Sequence, residues 1–284
     1  MEYFRYIQEH PDKDWGYKSL SANPNITWEI VQANPHCPWD YCGLSANPNI
    51  TWEIVQANPH CPWNYRCLSA NPNITWDIIQ SNPDKRWSIR SFSVNPSVTW
   101  DIVVANPGQS WAYRPLSSNP SITWEIIQAN PVLQQNYVYI SNNPNITWDI
   151  VQANPDKPWN YAWLKGNPNI TWDIIRANLD KQWDNEFVCV NLSCNPNITW
   201  DIVQANPDIP WDYDLLSKNP NITWDIVQDN PDCPWCYQYL SENPNITWDI
   251  ITENPDKPWD AEYLSRNQMS KHPFFGKQLS YVLK

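Results

Sequence analysis

The chain has 284 residues, among them 21 Trp, 28 Pro and only 5 Gly, and its formal net charge at pH 7 is −12. The acidic excess disfavours a nucleic-acid partner, because binding a phosphate backbone requires clustered Lys and Arg. A membrane partner is not expected either, since no apolar run approaches the roughly 20 residues that span a bilayer.

The N-terminal stretch MEYFRYIQEHPDKDW lacks the basic start and apolar run of a secretory signal, so we expect a cytoplasmic protein. Its eight Cys are then expected to be reduced thiols. YFRYIQEHP at residues 3–11 aligns with the later TWEIVQANP but is more polar, which predicts an N-terminal capping repeat over residues 1–22.

Tandem repeats are predicted over residues 23–266. One series of Trp recurs every 24 residues with a single step of 28: Trp28, Trp52, Trp76, Trp100, Trp124, Trp148, Trp172, Trp200, Trp224 and Trp248. A second series has the same step and the same exception: Trp15, Trp39, Trp63, Trp87, Trp111, Trp159, Trp183, Trp211, Trp235 and Trp259. One Trp is missing from this series, and Gln135 occupies its position. The two series contain 20 of the 21 Trp, so the period is well defined.

Each half-repeat begins with Asn-Pro, which favours a type I turn and ends whatever precedes it. In the first half, Thr before the Trp is a suitable N-cap and an acidic residue follows in the first turn, as in TWEI. In the second half, a Pro before most of the Trp suits the first position of a helix. We predict two short helices per repeat, of about 7 and 9 residues.

The alternative is a strand, because ITWEI alternates apolar and polar residues and 24 residues is also a leucine-rich-repeat period. The leucine-rich pattern, however, needs apolar residues where this chain has polar ones such as Arg66, Arg90 and Asp214. Helices this short require packing against neighbouring repeats. The predicted fold is therefore all-α, an α-solenoid of about eleven 24-residue repeats.

The repeat frame is irregular at residues 131–194 and ends near residue 266. One Trp is lost, Leu179 replaces a Pro, and four residues are added within DNEFVCVNL. This segment is therefore a bend, a contact point or a tolerated change without a function. Residues 267–284 leave the frame, and their Phe274, Phe275 and Tyr281 predict a C-terminal cap over the last repeat.

The tandem NPNITWxIVxANPDKPWxYxxLS units resemble the Asn-Pro/Trp repeat proteins that nucleocytoplasmic large DNA viruses, the giant viruses, encode in multiple copies. The resemblance covers nearly the whole chain. It implies a viral origin, with the protein in the host cytoplasm or the virion, and it supplies no catalytic residue.

Several motifs have a functional and a structural interpretation, and we favour the structural one for each. The Trp ladder could stack the bases of a single-stranded nucleic acid, but a Trp in every repeat is typical of a core. The NIT sequences could accept glycans, but they also provide a turn and a cap. Ten acidic residues that each follow a first-series Trp could attract cations or a basic partner, but they also suit a helix N-terminus: Glu29, Glu53, Asp77, Asp101, Glu125, Asp149, Asp173, Asp201, Asp225 and Asp249.

Catalysis, metal binding and cofactor binding have little support in the sequence. There are only four His, no glycine-rich phosphate loop, and no nucleophile beside a base. CPWC at 233–236 and the stacked pairs His36-Cys37 and His60-Cys61 could bind a metal, yet Cys37, Cys61 and Cys233 occupy a slot that other repeats fill with Lys, Gln or Ile. We predict a non-enzymatic protein with no metal and no cofactor.

The most informative positions vary while the frame does not. These are the third and fourth residues after each second-series Trp, which we call the variable pair. The residue types that dominate protein interfaces are common there, and the candidate partner-binding residues are Arg66, Arg90, Arg114, Tyr139, Trp163, Leu215, Tyr239 and Tyr263. The predicted function is a scaffold for an unknown protein partner, viral or host. The alternatives are a structural component of a virion or viral factory and, with less support, a solenoid that binds single-stranded nucleic acid or metal.

Overall fold

A computed structural model describes residues 2–178, 181, 183 and 192–269. All regular structure in these ranges is helical, in 21 short helices without a strand, which confirms the predicted all-α solenoid and excludes the leucine-rich alternative there. Leu179, the four-residue insertion and the aromatic residues of the predicted C-terminal cap lie outside the described residues.

The chain divides into two compact units, residues 1–111 with 246–284 and residues 112–245. The first unit contains α1 (Glu2–Glu9), α2 (Tyr17–Ala22), α3 (Trp28–Ala33), α4 (Tyr41–Ala46), α5 (Trp52–Ala57), α6 (Tyr65–Ala70), α7 (Trp76–Ser81), α8 (Ile89–Phe92), α9 (Trp100–Ala105), α20 (Trp248–Glu253) and α21 (Ala261–Leu264). The second contains α10 (Tyr113–Leu116), α11 (Trp124–Ala129), α12 (Tyr137–Ser141), α13 (Trp148–Ala153), α14 (Tyr161–Leu164), α15 (Trp172–Ala177), α16 (Trp200–Ala205), α17 (Tyr213–Lys218), α18 (Trp224–Asp229) and α19 (Tyr237–Glu242).

The first helix of each repeat begins where the sequence predicts. In α5, Thr51 has extended backbone angles and its hydroxyl accepts a hydrogen bond from the N–H of Ile54 at 3.5 Å, so Thr51 is the N-cap. The helix ends at Ala57, because the next residue, Asn58, precedes a Pro and leaves the helical region. The helix has 6 residues, close to the predicted 7.

The second helix begins later than predicted and is shorter. Pro62 is not its first residue, and α6 begins at Tyr65 instead. The reason is a competing cap: the side chain of Asn64 accepts a hydrogen bond from the N–H of Cys67 at 3.1 Å. Second helices in the described repeats therefore have 4 to 6 residues rather than about 9.

A ladder of buried Asn side chains joins consecutive repeats. Asn47 is fully buried, and its amide nitrogen donates to the carbonyl oxygens of Ser21 and Asn23 at 2.9 Å and of Ile26 at 3.1 Å, which surround the Asn-Pro turn that opens the preceding repeat. Its side-chain oxygen accepts a hydrogen bond from the N–H of Asn49 at 2.8 Å and so closes the turn. Equivalent side chains bond to two or three carbonyl oxygens around the opening turn of the preceding repeat: Asn71, Asn95, Asn143, Asn167, Asn195, Asn219 and Asn243.

Two apolar layers flank this ladder. The inner layer is formed by residues such as Leu44 and Ile50, which are 0% and 1% exposed. In the outer layer, the Trp of a first helix meets the second-series Trp of the next repeat, as Trp28 and Trp63 do with ring centroids 5.3 Å apart. The indole N–H of Trp63 donates to the carbonyl oxygen of Asn58 at 2.9 Å. The Trp ladder is therefore a packing layer.

Within the first unit, the last described repeat packs on the first. The N–H of Gly16 donates to the hydroxyl of Ser265 at 3.2 Å, and the amide of Asn23 donates to the carbonyl oxygens of Ser265 and Asn267 at 3.0 and 2.9 Å. These bonds repeat the pattern that joins consecutive repeats elsewhere, such as the ladder bonds of Asn47. The repeat predicted as an N-terminal cap thus has one face covered by the C-terminal part of the chain.

Candidate interaction surface

The two residues of the variable pair have different surroundings on the second helix. The third residue after the Trp faces outward, and Arg66 in this position is exposed. The fourth faces the preceding repeat: a Cβ on Gly43 would lie 2.6 Å from the carbonyl oxygen of Lys18, and only Gly allows this approach. Cys67, also at the fourth position, is 3% exposed. A bulky fourth residue is therefore partly covered by the repeat before it.

A disulfide joins the third residue of one repeat to the fourth residue of the next. Cys42 on α4 is bonded to Cys67 on α6, with Cα atoms 5.7 Å apart. The expectation of reduced thiols is wrong for this pair. The sequence did not predict this pairing, because Cys42 is a third residue and Cys67 a fourth residue of the variable pair. The two are brought together only by the offset between stacked second helices.

In the first unit, the structure describes three of the candidate partner-binding residues. Arg66 and Arg90 are exposed on α6 and α8. Tyr263 on α21 is half-buried, and the guanidinium of Arg266 lies over its ring at 4.4 Å, which partly covers this side chain.

In the second unit, the candidates also differ in exposure. Arg114 is exposed, Trp163 is 39% exposed, and three are half-buried: Tyr139, Leu215 and Tyr239. Val138, which was not among the candidates, is 40% exposed. Val138 and Trp163 are 25 residues apart, the same separation and the same two columns as Cys42 and Cys67. Because α12 also packs against α14, the two exposed apolar side chains lie on adjacent second helices.

Three of the ten acidic residues that follow a first-series Trp, a set that we call the acidic column, are hydrogen-bonded at the start of the helices that carry them. A hydrogen bond from the Thr27 hydroxyl holds the pKa of the exposed Glu29 carboxyl below its ordinary value, and Thr51 does the same for Glu53. For Glu125, the largest cause of the lowered pKa is its own backbone N–H, followed by the Thr123 hydroxyl. These interactions favour the interpretation of the column as helix N-terminal residues.

The slot occupied by Cys37, Cys61 and Cys233 is not a plain surface position. Each of these half-buried thiols faces a Tyr of the preceding repeat, and the hydroxyl of Tyr41 lies 3.5 Å from the sulfur of Cys61. Burial, followed by the hydrogen bond to the thiol, raises the pKa of Tyr17, Tyr41 and Tyr213 to about 12. In the part of the chain that the structure describes, no group of three or more His, Cys, Asp or Glu is arranged to hold a metal ion.

A search of the described helices for a membrane span finds none that is both long and apolar enough. Comparisons with known protein families, with curated proteins and with solved structures find no match. The resemblance to giant-virus repeat proteins, the viral origin and the cytoplasmic location therefore stay predictions.

Proposed function

We propose that this chain is a non-enzymatic repeat scaffold that binds a protein partner, viral or host, through the variable pairs of its second helices. The observation that carries the proposal is the adjacent exposure of Val138 and Trp163 on α12 and α14. Exposed apolar side chains on adjacent helices mark interaction sites more often than scattered ones do. Trp and Tyr also dominate the energetic centres of interfaces.

Around this pair, the second unit offers further contacts of the same kind. Tyr139 lies beside Val138 on α12 and is half-buried, so part of its surface is already packed. An aromatic side chain held in this way loses little conformational entropy on binding. A partner with an apolar segment, seated over α12 and α14, fits this surface best.

The proposal is tested by cross-linking from the surface itself. Tyr139 is replaced by a photo-reactive phenylalanine analogue, the protein is irradiated in a cell lysate, and the captured polypeptide is identified by mass spectrometry. One reproducible polypeptide is expected to be captured when the rest of the chain is wild type. This cross-link should be lost when Val138→Ser and Trp163→Ser are combined in the same chain.

Val104→Ser is the matched control, since Val104 is 59% exposed on α9, in the first unit. It should leave the cross-link unchanged. A cross-link that survives the double substitution contradicts the proposal. Light scattering on the purified chain separates the alternative: a concentration-dependent oligomer without a partner would favour a structural assembly component, whereas a monomer favours the scaffold.

A further inference from the structure

A contact that we call the end junction joins the first described helices, α1 and α2, to the last, α20 and α21, within the first unit. The N–H of Gly16 donates to the hydroxyl of Ser265 at 3.2 Å. The ring of Tyr6 on α1 stacks on that of Trp248 on α20, with centroids 4.6 Å apart. Together with the bonds of Asn23, these contacts give the end junction both an Asn ladder and an aromatic layer, as in a contact between consecutive repeats.

The outer bonds of the Asn ladder are missing beside the end junction. In a regular contact the side chain of Asn49, two residues after the ladder Asn, donates to the carbonyl oxygens of Pro24 and Ile26 at 2.6 and 3.0 Å. Asn25 holds the same position relative to Asn23, and its amide nitrogen is buried without a hydrogen-bond partner among the described residues. A buried amide that donates nothing lowers the stability of the structure around it.

The second helix at the end junction also lacks the cap found in a regular repeat such as that of α4. There the side chain of Asp40 accepts a hydrogen bond from the N–H of Gly43 at 2.6 Å. Gly16 stands in the place of Asp40 at the start of α2, which therefore has no side-chain cap. A Cβ on Gly16 would lie 2.9 Å from the Cγ of Glu262. The approach of α21 and a capping side chain therefore compete for the same space.

No short segment of chain spans the end junction. The ladder bonds of Asn47 join groups 21 to 26 residues apart, so a turn still holds the two repeats together when such bonds break. The bonds of Gly16 and Asn23 across the end junction join groups 242 to 249 residues apart. Between α4 and α6, the disulfide of Cys42 and Cys67 adds a second covalent link. Segments with fewer constraints open at a lower free energy than the rest of a fold.

We propose that the end junction is a clasp, which opens and recloses while the other contacts between repeats of the first unit stay formed. Opening separates α2 from α21 and exposes Ser265 to solvent. The closed state is the major one, because the bonds of Asn23 and the stack of Tyr6 on Trp248 hold it together. The proposal does not depend on the protein-binding surface proposed above.

The labelling rate of a buried thiol tests whether the clasp opens. Ser265→Cys places the thiol in the end junction, where Ser265 is 0% exposed, and the purified full chain is treated with iodoacetamide. Ser69→Cys is the matched control, because Ser69 is also 0% exposed and its hydroxyl accepts a hydrogen bond from the N–H of Ser88 at 2.9 Å in a regular contact. Mass spectrometry distinguishes the new thiol from the native ones, and circular dichroism checks that both variants fold.

Ser265→Cys should be labelled about tenfold faster than Ser69→Cys, since a contact that opens locally admits the reagent more often. Its labelling rate should still lie well below that of the same variant in urea. Equal rates for the two variants would overturn the proposal, because the end junction would then open only together with the rest of the unit. Labelling of Ser265→Cys as fast as in urea would overturn it as well, because the clasp would then not close.

A cross-link tests whether α2 and α21 are the parts that separate. Ser19 is the fourth residue of the first variable pair, and Glu262 is the third residue of the last. They are related across the end junction as Cys67 and Cys42 are related across a regular contact. Ser19→Cys combined with Glu262→Cys should therefore form a disulfide within one chain. Hydrogen exchange of peptides from α2 and α21 should then slow about tenfold, while exchange of peptides from α8 and α9 stays unchanged.

Asp214→Cys combined with Tyr239→Cys is the matched control, because it makes the same kind of cross-link between α17 and α19, which pack against each other as regular repeats. It should leave the exchange of α2 and α21 unchanged. Formation of the Ser19→Cys, Glu262→Cys cross-link only between two chains contradicts the proposal. A cross-link that slows the exchange of all helices of the first unit equally, or of none, contradicts it too.

Discussion

The regular repeat around α5 and α6 and the irregular repeat around α11 and α12 differ in only one of the two ladders. In the regular repeat, Trp63 packs on Trp28 and its N–H satisfies a carbonyl oxygen at the end of α5. In the irregular repeat, Gln135 replaces the Trp and is exposed, while Leu133 is buried and the amide of Gln134 satisfies carbonyl oxygens at the end of α11.

The Asn ladder continues through the irregular repeat without change. Asn143 is fully buried and donates to the carbonyl oxygens of Ser117, Asn119 and Ile122, as its counterparts do in regular repeats. Ile140 and Ser141 are also 0% exposed. The inner Asn ladder therefore sets the stacking of repeats, and the outer Trp ladder is a separable layer that can lose a rung if other side chains fill the space.

The largest expected effect follows from removing one rung of the Asn ladder. Asn143→Ala removes an amide whose two N–H groups bond to three carbonyl oxygens and whose oxygen accepts from the Asn145 N–H, and it leaves the carbonyl oxygen of Ser117 without this donor, at a cost of about 4 to 6 kcal/mol of unfolding free energy. Asn71→Ala, in a regular repeat, should cost the same in urea denaturation. A large difference between the two would mean that the ladder is not uniform through the irregular repeat.

Removal of a Trp should cost somewhat less and should depend on its layer. Trp52 is 8% exposed and packs on Trp87, so Trp52→Ala is expected to cost about 3 to 5 kcal/mol. Trp148 is half-buried and should fall below this range, and Trp163→Ala should cost less than about 1 kcal/mol, as is usual at exposed sites. Equal losses for all three in thermal or urea unfolding would contradict the division into packing layer and surface.

The sequence predicted the all-α class and the starts of the first helices, because Thr, Trp and Asn-Pro are local signals that act within one repeat. It missed the start of the second helices, where Pro62 and Asn64 are competing start signals and the capping side chain prevailed. It also interpreted Asn47 as a turn residue only. Its burial depends on carbonyl oxygens of another repeat, which no local pattern reveals.

The candidate site was predicted in part for the same reason. The third residue of the variable pair depends only on the helix that carries it, and Arg66 is exposed there as expected. The fourth residue depends on the preceding repeat, so Leu215 is half-buried and Cys67 is bonded across the contact. Val138 is also a third residue and is 40% exposed, but it was not chosen as a candidate because Val is not among the residue types that dominate interfaces.

A smaller loss of stability should distinguish the turn of the irregular repeat, which contains Leu133, from the turn of a regular repeat. Leu133 is fully buried, so Leu133→Lys must desolvate an ammonium or displace the turn, at an expected cost of about 2 to 4 kcal/mol. Ile209→Lys makes the equivalent change in a regular repeat, where Ile209 is half-buried and Lys85 and Lys157 already occupy this slot, and it should cost less than about 1 kcal/mol. Similar losses of thermal stability would show that the two turns are packed alike.

The smallest expected effect concerns the phenol of Tyr41, which faces the slot occupied by Cys61. The pKa of Tyr41 is raised to about 12 by burial and by the Cys61 thiol, so the folded chain holds the phenolic proton more tightly than an unfolded chain, in which Tyr ionises near pH 10. A raised folded-state pKa contributes stability below pH 10 that is lost as the pH rises through 12. Ultraviolet titration of phenolate absorbance should therefore show a group of Tyr that ionise late, and Cys61→Ala should make one of them ionise earlier.

Leu133→Ala provides the matched control, since the irregular repeat has Leu133 instead of a thiol in this slot. It should leave the late ionisation of Tyr41 unchanged. If Cys61→Ala has no effect on the titration, burial alone raises the pKa of Tyr41 and the thiol contributes nothing to the contact between repeats.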